Sequence, residues 1–237
     1  MSKVIFFIAL FSSLSANAFS VSGSRFIVTD DTSRTPVTIT NSLETDIVVQ
    51  SWLDDYIVES FTSSAKAAEY KSNGKGLTLA PGFFKVKANN SYTYYLQKLD
   101  SLTLPNDRES IVGLYIRGLP NESSGDDSIV YLVQQLILKV FYRPSGIKEK
   151  RFGADSQLIP TCVQGKLHLN NPTPFIFSPV NVWSDQQLYP YSSLITHGLN
   201  LIEGVSCKGL VTIETVNDFG GQNKYDLGQP LIGADDS

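Results

Sequence analysis

Apolar and polar residues alternate with a period of two over much of the chain. The stretches "VTIT" (37–40), "DIVVQSW" (46–52), "SYTYYLQKL" (91–99), "IVGLYIRGL" (111–119) and "IVYLVQQLILKVFY" (129–142) are strand-like. On an extended backbone this alternation sends successive side chains to opposite faces. Turn-forming clusters separate the stretches: "KSNGKG" (71–76), "APGFF" (80–84), "LPNDRE" (104–109) and "PNESSGDD" (120–127). No segment between Phe19 and Pro144 keeps a helical period. Short strands with polar turns predict an all-β fold of the sandwich type.

The texture changes after Pro144. "PSGIKEKRFGADS" (144–156) is polar and charged, and reads as an inter-domain connection. Strands then resume in "GKLHLNN" (165–171), "FIFSPVNVW" (175–183), "LITHGLNLI" (194–202) and "GLVTIETVND" (209–218). Two sandwiches are expected, the first over residues 19–146 and the second over 147–237. The first eighteen residues differ from both. Lys3 precedes an apolar run over residues 4–11, and Ala16-Asn17-Ala18 follows as a small-residue cleavage site. This is the build of a secretory signal peptide, with Phe19 as the first mature residue. The run is short for a membrane span, so an exported, soluble product is expected.

Composition and charge narrow the classes of function. Of 237 residues, 42% are hydrophobic, enough for two cores. The net charge of -4 offers no general basic field, which argues against nucleic acid as a partner. In an oxidising compartment Cys162 and Cys207 read most simply as a disulfide; two buried free thiols are the alternative. The histidines, His168 and His197, lack the spacing of a metal site. Carboxylate pairs such as Asp54-Asp55 and Asp126-Asp127 occupy turn-like places, and neighbours on a strand point apart. No nucleophile elbow or phosphate loop is present. The expectation is a protein without enzymatic activity, cofactor or metal. One alternative is an exported two-domain β-sandwich adhesin or ligand-binding module. It would need aromatic-rich loops, for which "YPYSS" (189–193) is the candidate.

Six stretches together carry a resemblance: "SRFIV" (24–28), "VQSWL" (49–53), "LPNDRESIV" (104–112), "LKVFYRP" (138–144), "NNPTPF" (170–175) and "VNDFG" (216–220). The chain resembles the periplasmic pilus (fimbrial) chaperones of the chaperone–usher pathway. The short segment after Pro120 and a first domain without cysteine resemble the short-loop branch. The resemblance implies two immunoglobulin-like domains set at an angle around a cleft. It implies binding, folding and capping of pilus subunits by donor-strand complementation, then delivery to an outer-membrane usher. A subunit that lacks its last strand has an open core and unpaired edges, and the chaperone lends a strand to both.

Residue by residue, the resemblance places Val130, Leu132 and Gln134 on the subunit-facing side of the donor strand. Gln134 departs from the apolar residue usual there, which weakens that contact or implies a polar subunit pocket; a local bulge that brings Leu136 into play is the other option. Arg25 and Lys139 are implied to bind the subunit's C-terminal carboxylate, through a planar fork and a compact charge respectively. Glu109, Arg143 and Asp218 are implied to form a charge cluster between the domains. Trp52 is expected in core packing, and residues 171–174 in a turn. An exposed apolar strand also makes self-association of the free protein a possible outcome.

Overall fold

The computed structural model describes residues 19–32, 34–56, 74–120 and 133–232. The expected leader, and Val130 and Leu132 of the donor strand, lie outside these residues. The described chain folds into two immunoglobulin-like sandwiches, each made of two packed sheets.

The first sandwich holds β1 (Phe19–Val21), β2 (Arg25–Thr29), β3 (Thr35–Asn41), β4 (Ile47–Asp54), β5 (Leu77–Ala80), β6 (Phe83–Val86), β7 (Asn90–Lys98), β8 (Ser110–Pro120) and β9 (Gln134–Arg143). One sheet runs β1-β3-β7-β5 and the facing sheet β2-β9-β8-β4-β6. The chain crosses between sheets over Ser22, Gly23 and Ser24, so β1 and β2 serve different layers. The alternation fills the core as expected: Ile39 and Leu96 from one sheet meet Val49, Leu114 and Val140 from the other. Burying such side chains gives roughly 1.5–3 kcal/mol each.

The second sandwich holds β10 (Ile159–Val163), β11 (Lys166–Asn171), β12 (Ser178–Ser184), β13 (Gln187–Pro190), β14 (Gly198–Ser206), β15 (Val211–Val216), β16 (Gln222–Gly228) and β17 (Leu231–Ile232). Its sheets run β14-β11-β10-β17 and β13-β12-β15-β16 around Leu167, Leu169, Phe177, Val182 and Ile213. Cys162 on β10 is bonded to Cys207, just beyond β14. Asn171 turns the chain between β11 and β12. Its side chain donates to the carbonyl of Phe175 and accepts from the amide and hydroxyl of Thr173.

The structure refines three local expectations. The "APGFF" stretch is only partly a turn, because Phe83 and Phe84 begin β6 and Phe84 reaches the core. Residues 144–156 lie between the two sandwiches but are locally ordered. They form two short 3-10 turns (Ser145–Lys150 and Ala154–Gln157) that bury Ile147, Ala154, Arg151 and Asp155 against the second domain. Trp52 is buried, but on the opposite face of its sheet from the sandwich core. Val49 and Leu53 point inward, so Trp52 points outward by strand parity and stacks on Tyr115 across the β4–β8 pair, with centroids 5.3 Å apart.

Candidate functional site

The parallel pairing of β2 with β9 sets Arg25 directly opposite Lys139. Their neighbours Phe26 and Val140 enter the core, so both cations leave by the other face, toward the second domain. There the Arg25 guanidinium donates to the carbonyl oxygens of Val216 (2.6 Å) and Asn217 (2.7 Å) and to Ser178 Oγ (2.6 Å). Lys139 Nζ donates to the same Ser178 Oγ, at 3.2 Å. The Phe141 ring lies 4.7 Å from the guanidinium carbon, and the Tyr56 ring 5.8 Å from Nζ. Among the described residues, neither cation has a carboxylate in ion-pair contact.

Burial pushes both groups' pKa values down. For Lys139 the adjacent Arg25 charge adds to the effect, while for Arg25 the charge of Asp218 opposes it. Both cations are partly stripped of water, and the hydrogen bonds they make among the described residues go to neutral oxygens. A carboxylate would offer each a charge-assisted bond.

From Lys139 the strand β9 runs away from the second domain. On one side it pairs with β8 without a register break, from Ser110↔Tyr142 to Gly118↔Gln134. On the other side β2 covers only Lys139 to Arg143. Among the described residues, nothing pairs with residues 134–138 on that edge. The unbroken register contains no bulge, so Gln134 keeps the face of Leu136 and Leu138, which pack on the first core. Gln134 itself is exposed at the outer end. On the opposite face, Gln135 accepts two bonds from Arg117 (2.8 and 3.2 Å) and Ile137 stands 43% exposed.

The cluster of Glu109, Arg143 and Asp218 lies beside this site. Arg143 Nε donates to Glu109 Oε1 at 2.8 Å, and its two terminal nitrogens donate to the Asp218 carboxylate at 2.6 and 3.0 Å. Glu109 also fastens the second domain through backbone: its Oε2 accepts from the Ile176 amide, and its own amide donates to the Pro174 carbonyl. Burial holds the Glu109 carboxyl above the usual range, against the pull of Arg143. Burial acts the same way on Asp218, but there the Arg143 bond and charge win and the pKa falls. Sequence reading missed two members. Arg151 pairs with Asp155, which also accepts from Thr215, and Arg151 Nε lies 3.9 Å from Asp218. They were assigned to a polar connection, and only their i,i+4 spacing hinted at a pair. Ser178 was missed as well, since an isolated serine carries no signal.

The two histidines bind backbone oxygens: His168 Nδ1 lies 3.2 Å from the Lys166 carbonyl and His197 Nδ1 lies 3.1 Å from that of Thr173. Tyr189 and Tyr191 of the "YPYSS" stretch pack against the second core and form no open aromatic platform.

Comparison with known proteins agrees with this architecture. The sequence model of the pili and flagellar-assembly chaperone family, PapD N-terminal domain, matches residues 18–148. The chain belongs to the pilus-assembly chaperones. It is 28% identical over 232 residues to the probable fimbrial chaperone YadV of Escherichia coli K12, covering 89% of each chain. Among solved structures, the chaperone SafB, in complex with the Salmonella enterica pilin SafA, superposes with a TM-score of 0.71 at 19% identity. That match covers 90% of this chain and 96% of the other. The Pseudomonas aeruginosa chaperone CupB2 superposes with a TM-score of 0.69 at 21% identity, covering 89% and 100%. The fimbrial chaperones are a periplasmic family. No helix among the described residues is long and apolar enough to cross a membrane. In this chaperone the cation pair, the open strand edge and the inter-domain cluster are contiguous along β9.

Proposed function

We propose that the chaperone captures a pilus subunit in the cleft by holding its C-terminal carboxylate between Arg25 and Lys139. The subunit then pairs along the open edge of β9. The observation that carries this reading is the convergence of both cations on one neutral hydroxyl, Ser178 Oγ, at the inner end of that edge. A bound carboxylate supplies the missing negative charge and fixes where strand pairing starts. From there residues 134–138, unpaired on that edge among the described residues, offer backbone groups to the subunit, and Gln134, with the Leu132 and Val130 that the resemblance implies, fills the groove left by its missing strand. Gln134 gives this chaperone one polar contact in an otherwise apolar series. The chain is exported with removal of residues 1–18, works in the periplasm, and passes its subunit to an outer-membrane usher. Glu109, Arg143 and Asp218 set the angle at which the second domain closes the cleft.

The test is periplasmic co-expression with a pilus subunit, comparing wild type, Arg25→Ala and Lys139→Ala. Soluble complex should be lost in both variants while each chaperone stays folded by circular dichroism. Full recovery of complex with both variants would remove the carboxylate anchor.

A further inference from the structure

Across the sheet that carries the two cations, Lys139 pairs with Gly113, and Gly113 pairs in turn with Asp54 at the end of β4. Gly113 places no side chain in this row. A Cβ there would meet the Tyr115 ring at 2.8 Å and the carbonyls of Asp54 and Asp55 at 3.4 Å. The glycine therefore lets the chain leaving β4 pass close by. Two hydrogen bonds fasten that chain. The Tyr115 hydroxyl donates to the Asp55 carbonyl at 2.9 Å, and Asp54 Oδ1 accepts from the Asp55 amide at 2.8 Å. The Asp55 carboxylate pairs with Lys75, at 2.6 Å, and not with Lys139. The next residue is Tyr56. It is half-buried, and Lys139 Nζ lies over its ring, 5.8 Å from the centroid.

The two cations differ in how they are held. Three hydrogen bonds to the second domain and the Phe141 ring secure the Arg25 guanidinium. The Lys139 ammonium sits on a flexible stem. Among the described residues it makes one hydrogen bond, the 3.2 Å donation to the Ser178 Oγ that Arg25 also uses. Like charges meeting at one oxygen repel, and the lysine is the partner free to swing out into water. The ring of Tyr56 opposes that departure, because an aromatic face attracts an ammonium within about 6 Å.

We infer that Tyr56 is a positioning residue of the carboxylate site: its ring backs the Lys139 ammonium and keeps it beside Arg25, so that an arriving terminal carboxylate meets both cations together. This rests on the anchor proposed above. Tyr115 and Gly113 act one step further back, by fixing the turn that carries the ring. The face of the ring makes the contact, so phenylalanine should serve in its place.

The experiment uses the full chaperone and a synthetic peptide of alternating valine and threonine. The peptide is made as a free acid and as a C-terminal amide, and affinity is read by calorimetry. Wild type should bind the acid about tenfold tighter than the amide. Tyr56→Leu should cut that preference to about threefold and leave affinity for the amide unchanged. Tyr56→Phe should keep the full preference. In Lys139→Ala, whatever preference Arg25 sustains should be the same with and without Tyr56→Leu. A full preference in Tyr56→Leu would overturn the inference alone. So would an equal loss for acid and amide, which marks a general effect on the fold. A loss in Tyr56→Phe would assign the contact to the hydroxyl, and an undiminished effect of Tyr56→Leu in Lys139→Ala would show a ring acting without the lysine; either overturns the inference. No acid preference in wild type, or no saturable binding up to about 1 mM, would overturn the anchor and the inference with it.

Discussion

Arg25 and Lys139 stand opposite each other across a parallel strand pair, and both donate to the single hydroxyl of Ser178. On the proposed reading, this neutral oxygen stands in the place a carboxylate oxygen would take. Ser178→Asp should therefore act as a built-in occupant. Its charge would raise the melting temperature and reduce subunit affinity by about tenfold or more. Ser178→Ala should lower stability by about 1–3 kcal/mol, since buried donors lose an acceptor. Thermal unfolding and subunit titration on the same samples check both.

Capture should depend on pH through Lys139. Burial, and then the Arg25 charge, lower its pKa in the free chaperone. A carboxylate bound beside it favours the charged form and raises the pKa. The complex thus takes up a proton in the window between the two values. Affinity should be level below the free chaperone's lowered value and decline as pH rises through it. Lys139→Arg should flatten the profile, because arginine stays protonated there. Titrations from neutral pH to about 10 give the answer.

The inter-domain cluster predicts an asymmetry between breaking and replacing. Arg143→Ala leaves two carboxylates, Glu109 fully buried and Asp218 mostly so, without their shared cation. It should destabilise by about 3–5 kcal/mol. Removing charge from all three, as Glu109→Gln, Arg143→Met and Asp218→Asn together, should cost clearly less. Chemical denaturation of the single and triple variants distinguishes the two.

Asp30 closes the first domain onto the connection. It accepts from Lys98 and Tyr142 and from the backbone amide of Ser145. The Lys98 bond is the main cause of its pKa falling to about 2, while burial and this carboxylate push Tyr142 up to about 12. Because the folded value is depressed, the stabilisation is fully present above the unfolded value of about 3.9. It is lost as pH falls from there toward about 2. Asp30→Asn should be less stable than wild type at neutral pH by up to about 1 kcal/mol, since the group is largely solvated. The gap should close as both are titrated to acid.

Strand alternation made the sheets legible, since it is a local signal: Val37, Ile39, Leu114 and Val140 lie where a period of two puts them. Adjacent-layer contacts were not legible. Trp52 and Phe84 show why: parity sets a residue's face relative to its neighbours, but which face lines the sandwich core depends on strands far along the chain. Arg25, Lys139, Glu109, Arg143 and Asp218 were found through family motifs, as no local pattern relates residues so far apart in sequence. Arg151 and Asp155 were hidden because burial of a charged pair follows from tertiary packing, and their segment looks solvated by composition. Ser178 became visible only once β12 lay under the β2–β9 pair.

The proposed role of this cation pair is to read the subunit's terminal carboxylate. A double-mutant cycle tests it most directly, pairing Lys139→Ala in the chaperone with a two-residue extension of the subunit's C-terminus. Affinity is measured for all four combinations. If the carboxylate sits on Lys139, the extension weakens binding to wild type but adds little in Lys139→Ala, with a coupling of about 1.5–3 kcal/mol. Strictly additive losses would contradict the anchor and place the subunit's terminus elsewhere.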